Sequence, residues 1–162
     1  MRTAIVYYSM GGNTAMVAEK LAEALSADLV PVRPQRAYPD KGFRKFLWGG
    51  KSAVMAETPE LEPYAFPADQ YGRIVFGFPV WASNMAPPLR TFIRDNRDAL
   101  KGKEIAAFVC ESGSGGEKAL RKLAECLGLD FVSPATVLID PKDRPKPENE
   151  QKIGQFLEQL AG

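Results

Sequence analysis

Ala4-Ile5-Val6-Tyr7-Tyr8-Ser9-Met10-Gly11-Gly12-Asn13-Thr14 is a continuously apolar, β-rich run that breaks into a polar glycine loop. Val17, Ala18, Leu21, Ala24 and Leu25 then recur at helical spacing, so the stretch predicts strand, loop and amphipathic helix. Leu29-Val30-Pro31-Val32 predicts a second strand. Two further apolar runs, Arg73 to Phe78 and Ile105 to Cys110, repeat the opening pattern. The first leads through a loop to Pro87-Pro88, where an opening helical turn tolerates proline, and then to Leu89, Phe92 and Ile93. The second leads to Leu120, Leu123, Ala124 and Leu127, which mark another helix. Phe131 to Ile139 supplies a fifth strand, and Ile153, Phe156, Leu157 and Leu160 a closing helix. The polar segment Asp140 to Gln151 between them is expected to be a surface loop.

Strands alternating with helices imply right-handed crossovers and a parallel sheet covered on both faces. Pro31 and Pro134 each lack a ladder donor and belong at the sheet edges, whereas the first, third and fourth strands are free of proline. The expected fold is therefore α/β, a three-layer doubly wound sheet of five parallel strands in the order 2-1-3-4-5. Its switch point lies between strands one and three, and ligands bind beyond the carboxyl ends there. Between strands two and three, Phe43, Phe46, Leu47, Gly50 and Val54 share a helical face. They predict an inserted helical segment at about 40–57 within a single domain spanning 1–162. Trp48 lies off that face, as a half-exposed helix aromatic or as a lid or partner patch.

Composition removes whole classes of function. The chain has 162 residues, no histidine, and 21 Lys plus Arg against 20 Asp plus Glu. The missing imidazole excludes Ser/His and Cys/His nucleophiles, His-ligated metals and His acid/base chemistry. A net charge of +1 argues against a nucleic-acid partner. No run approaches a membrane span, and Met1-Arg2-Thr3 leads straight into a strand, so a cytoplasmic protein without membrane attachment is expected. Cys110 and Cys126 match no metal-ligand spacing and are expected to be reduced core thiols.

Chemistry is concentrated in three loops that the strand order brings to one sheet edge. In the first, Ser9, Met10, Gly11, Gly12, Asn13 and Thr14 combine hydroxyl and amide groups with glycines that let the backbone wrap an anion at a helix N-terminus. A phosphate monoester suits such a loop. The second, Pro79, Val80, Trp81, Ala82, Ser83 and Asn84, offers an aromatic wall beside small residues. The third, Glu111, Ser112, Gly113, Ser114 and Gly115, offers amides freed by glycine. Together they suit a planar aromatic cofactor carrying one phosphate.

Other phosphate motifs fail on particular residues. Gly49-Gly50-Lys51-Ser52 has Lys45 where a Walker loop needs its first glycine, and the sixth residue after Cys110 is Gly116 rather than the arginine of a phosphatase loop. A response regulator would carry acids at the ends of strands one and three, where Tyr7, Tyr8 and Phe78 stand. The first turn also lacks the G-x-G-x-x-G of a dinucleotide site.

Ser9-x-Gly-Gly-Asn-Thr14, Pro79-Val80-Trp81 with Ala86-Pro87-Pro88-Leu89-Arg90-Thr91-Phe92, and Glu111-Ser112-Gly113-Ser114-Gly115 together resemble the flavodoxin family. The likeness runs the length of the chain. It is nearest to the short flavodoxin-like proteins of anaerobes and archaea, which carry an insertion similar to Gly42 to Gly50. Flavodoxin is itself a known instance of the 2-1-3-4-5 order, with FMN at the switch point. The resemblance implies non-covalent FMN, its phosphate on Ser9 to Thr14 and its ring between Pro79 to Asn84 and Glu111 to Gly115. It implies electron transfer to a redox partner protein or a small-molecule acceptor, with no catalytic side chain and no metal, as a monomer or homodimer. An NAD(P)H-dependent quinone or nitro reductase is the alternative, and a flavodoxin-fold binding module that has lost flavin a third. The chain departs from the family pattern at Ala82, where a second aromatic is frequent, and in its balanced charge, where electron carriers are usually acidic.

Overall fold

The structure is a computed structural model that describes residues 1–37 and 57–162. The expected inserted helix and Trp48 fall outside the described residues. Five strands form one parallel sheet: β1 (Thr3–Tyr7), β2 (Asp28–Pro31), β3 (Arg73–Pro79), β4 (Glu104–Glu111) and β5 (Ala135–Ile139). Their order is β2-β1-β3-β4-β5, as the prolines and apolar runs predict. Pro31 lies on edge strand β2, opposite Tyr7.

Both sheet faces are buried, and strand periodicity sorts the core into two layers. Ala4, Val6, Ile74, Phe76, Phe78, Ala107 and Val109 face helices α2 (Pro87–Asp95), α3 (Arg97–Leu100) and α4 (Gly116–Leu127), meeting Leu89, Phe92, Ile93, Leu100 and Leu123. Ile5, Val75, Phe108, Cys110 and Leu138 face α1 (Asn13–Leu25) and α5 (Pro147–Ala161), meeting Val17, Ala18, Leu21, Ile153, Phe156 and Leu160. Gly77 is fixed by close approach: a Cβ there would stand 2.2 Å from Cζ of the fully buried Phe108, its partner across the ladder.

Several boundaries differ from the sequence reading. The fifth strand begins at Ala135 rather than Phe131, whose side chain is 73% exposed. Apolar character alone extends the run across Ser133-Pro134, where Pro134 has no N–H to donate and only its carbonyl reaches β4, accepting the N–H of Ala107 at 3.2 Å. The last helix starts at Pro147, taking in residues assigned to the surface loop, because Pro is pre-organised for a first helical turn. In α1, Ala24 is exposed while Thr14, Val17, Ala18 and Leu21 form the buried stripe. The described ends of the β2–β3 connection pair with each other, Gln35 N donating to Glu60 O at 2.8 Å and Glu62 N to Arg33 O at 2.8 Å. The returning arm then packs on α2, where buried Thr91 donates to Pro59 O at 2.7 Å and Phe66 meets Phe92 edge-on. Among the described residues, no helix is long and apolar enough to cross a membrane.

Candidate functional site

At the carboxyl edge of the sheet, beside the switch point, the loops after β1, β3 and β4 enclose a cavity of about 460 Å³. Its volume lies within the ~300–1,000 Å³ of small-molecule sites. Ser9, Met10, Gly11, Asn13 and Thr14 line it from the first loop, Pro79, Val80, Trp81 and Ala82 from the second, and Ser112, Gly113 and Ser114 from the third. Cys110 and Asp140 complete the wall.

The first loop is built to leave donors over. Gly12 takes the left-handed conformation, φ 93°, immediately before α1, and its carbonyl accepts the N–H of Met16 at 3.0 Å. The opening N–H groups of a helix have no intrahelical acceptor. Ser9 Oγ accepts that of Ala15 at 3.1 Å, leaving the serine's own O–H as a donor beside the amides of Asn13 and Thr14. No acidic residue sits in the first turn of α1, so its positive dipole end is uncompensated by the helix itself.

The second loop closes as a tight turn. Trp81 and Asn84 exchange backbone hydrogen bonds at 3.1 and 2.9 Å around Ala82 (φ 50°) and Ser83 (φ 61°), the backbone signs of a type I′ turn. Such a turn favours glycine and asparagine, so an alanine and a serine there hold roughly 1 kcal/mol of strain each. Trp81 is held by buried Tyr8, edge-on at 5.7 Å between ring centroids. Asn84 turns away from the cavity, its Oδ1 accepting from Arg90 Nη2 at 2.7 Å and from its neighbour Met85 N at 2.8 Å.

In the third loop Gly115 (φ 96°) precedes α4 and packs on the second loop: a Cβ there would lie 2.8 Å from Ser83 Oγ and 3.0 Å from Ser83 Cα. Glu111 does not line the cavity. Its Oε2 accepts the N–H of Gly116 at 2.7 Å, capping α4. Gly12, Ser83, Asn84, Glu111 and Gly115 are not among the lining residues, and the other residues singled out from the sequence face the cavity.

A fourth loop, after β5, which the sequence marks only as a surface loop, reaches the same edge and brings Asp140 to the cavity. Asp140 (φ 38°) accepts from Ser112 Oγ at 3.1 Å and from Arg144 Nε at 2.8 Å, and Arg144 also donates to Ser112 O at 2.6 Å. Asn13 binds this loop by accepting the N–H groups of Lys142 and Asp143 at 2.8 and 3.2 Å and donating to the Asp143 carboxylate at 3.1 Å. The β5 strand end and the aspartate in Asp140-Pro141-Lys142-Asp143 were the available signals.

Burial pushes the Cys110 thiol up to about 12; the Thr14 hydroxyl hydrogen-bonded to it opposes the shift, and the Asp140 charge adds to it. The thiol is therefore a neutral part of the wall rather than a nucleophile. Burial also raises Cys126, against the opposing charges of Arg90 and Arg97. Among the described residues no group of His, Cys, Asp and Glu could hold a metal ion.

These features define a doubly wound α/β protein with an anion-ready loop, an aromatic wall and a glycine-rich amide loop around one switch-point cavity. A family model described as flavodoxin matches residues 2–142. The chain belongs to the flavodoxin family. Its fold is similar to that of a candidate flavoprotein from Bacteroides eggerthii DSM 20697 (22% identity, TM-score 0.79, covering 99% of this chain and 98% of that one). It is also similar to a flavoprotein in complex with FMN from Lactobacillus acidophilus NCFM (18%, 0.74, 96% and 97%) and to two-electron reduced Megasphaera elsdenii flavodoxin (18%, 0.57, 96% and 97%).

Proposed function

We propose that the protein binds FMN non-covalently and acts in electron transfer, with a redox partner protein or a small-molecule acceptor as the other party. The observation that carries this reading is the meeting, in one cavity, of the uncompensated α1 N-terminus with Trp81 and the third-loop amides. The residues fit the group. Ser9 O–H and the Asn13 and Thr14 amides would bind the phosphate, at a helix whose own first turn carries no acid. Trp81, steadied by Tyr8, and Met10 would flank the ring, and the backbone of Ser112 to Ser114 would donate to its polar edge. Bound there, FMN supplies one-electron and hydride chemistry. The chain positions it, limits water at the ring and sets its electrostatic surroundings.

A second reading, an NAD(P)H-dependent quinone or nitro reductase, is favoured by Ala82. Its small, exposed side chain occupies the cavity rim where a bulky one would cover the ring. The protein's family, and a fold neighbour solved in complex with FMN, support the first reading.

Titrating apoprotein with FMN and with riboflavin tests the site. Ser9→Ala should weaken FMN by about tenfold and riboflavin by less than about twofold; equal losses would show that the phosphate lies elsewhere. Rapid mixing of the FMN-loaded protein with NADPH separates the two readings. Direct bleaching within a turnover time selects the reductase, and reduction only through a partner reductase selects the carrier.

A further inference from the structure

We propose that Lys142, from the loop after β5, is a phosphate-positioning residue: its ammonium supplies a cation to the phosphate monoester end of the cavity. The inference rests on the FMN reading above and adds to it a residue outside the three ligand loops. A Cβ built on Gly12 would stand 2.7 Å from Lys142 Nζ and 3.1 Å from its Cδ, so the lysine side chain lies along the backbone at the turn into α1. Gly11 and Asn13, on either side of that glycine, both line the cavity. Lys142 makes no ion pair among the described residues, so its charge is not spent on a carboxylate.

The lysine's placement is built rather than incidental. Asn13 Oδ1 accepts the Lys142 N–H, fixing the backbone of the fourth loop against the first. The neighbouring Asp143 carboxylate is engaged by Asn13 Nδ2. From the other side, Arg144 is fixed by Asp140 and by the carbonyl of Ser112 in the third loop. Lys142 is therefore held between two anchors, with its flexible end left at the helix N-terminus. A phosphate there would meet a cation as well as the α1 amides, which strengthens each hydrogen bond by charge assistance. The same contact would discriminate FMN from riboflavin, which has no phosphate.

The test compares wild type, Lys142→Gln and Lys142→Arg as full-length apoproteins, titrated with FMN and with riboflavin at about 0.02 M and about 0.5 M salt. Lys142 is exposed, so both variants should fold, and circular dichroism verifies it. The expected result is an FMN affinity about tenfold lower in Lys142→Gln at low salt, riboflavin affinity within about twofold of wild type, and a shallower salt dependence for FMN. Lys142→Arg should retain the wild-type preference. An unchanged FMN affinity in Lys142→Gln, or equal losses of both ligands, overturns the role of Lys142 while leaving the FMN reading intact. Wild-type protein that binds neither flavin overturns both.

Discussion

The turns into α1 and α4 have nearly the same backbone and opposite chemistry. Each places a left-handed glycine before its helix, Gly12 at φ 93°, ψ −11° and Gly115 at φ 96°, ψ −7°. At α4 the chain fills its own anion place, with the Glu111 carboxylate on the Gly116 amide and Glu117 in the first turn. At α1 the first turn holds no acid, Ser9 contributes a neutral hydroxyl, and Lys142 lies alongside. Backbone shape alone does not make a phosphate site. What separates the two is whether the chain already places a carboxylate on a backbone amide of the helix's first turn, as Glu111 does at α4, and that decides which turn can accept an anion from a ligand.

The largest effect is expected from giving the turn into α1 the carboxylate that the turn into α4 carries. Ser9→Asp places a carboxylate where it can cap the Ala15 amide, and FMN affinity should fall by roughly a hundredfold while riboflavin binding and folding persist. Titration calorimetry with both flavins measures it. Next in size is the cost of a side chain at each glycine. Gly115→Ala meets Ser83 backbone as well as a strained φ and should lose about 2–3 kcal/mol of stability in urea unfolding. Gly12→Ala meets only the movable end of Lys142 and should lose about 1 kcal/mol. Glu111→Ala removes the α4 cap and should cost about 1 kcal/mol while leaving the ratio of FMN to riboflavin affinities unchanged.

The smallest effect concerns the cavity wall. The Cys110 thiol is raised in the folded state to about 12, above its unfolded value of about 8.5. The folded protein therefore holds that proton more tightly, so the thiol's contribution to stability is complete below pH ~8.5 and declines as pH rises toward 12. At pH ~8, alkylation of the native protein should label partly buried Cys126 before Cys110, as peptide mapping would show.

Much of this architecture was legible because it rests on local pattern. Continuous apolar runs marked β1, β3 and β4, Pro31 marked an edge, and Pro87 marked the start of α2. The three loops followed from strand order, since every parallel strand delivers its loop to the same edge. The fourth loop escaped because a polar, proline- and lysine-rich run has no periodicity, and its partners Asn13 and Ser112 are distant in sequence. Glu111 was assigned to the cavity on loop membership alone. Its inward turn onto Gly116 depends on side-chain direction, which no spacing encodes. The balance of charge, which argues against nucleic acid, has a local side too: the Lys142 side chain lies against Gly12 at the turn into α1.

The absorbance spectrum of the purified protein, with any released cofactor identified and the apoprotein titrated with FMN, decides whether the switch-point cavity holds FMN. Flavin absorbance from one FMN per chain, or its recovery on reconstitution, is expected, with FMN bound more tightly than riboflavin. A colourless, folded protein that takes up no FMN would contradict it.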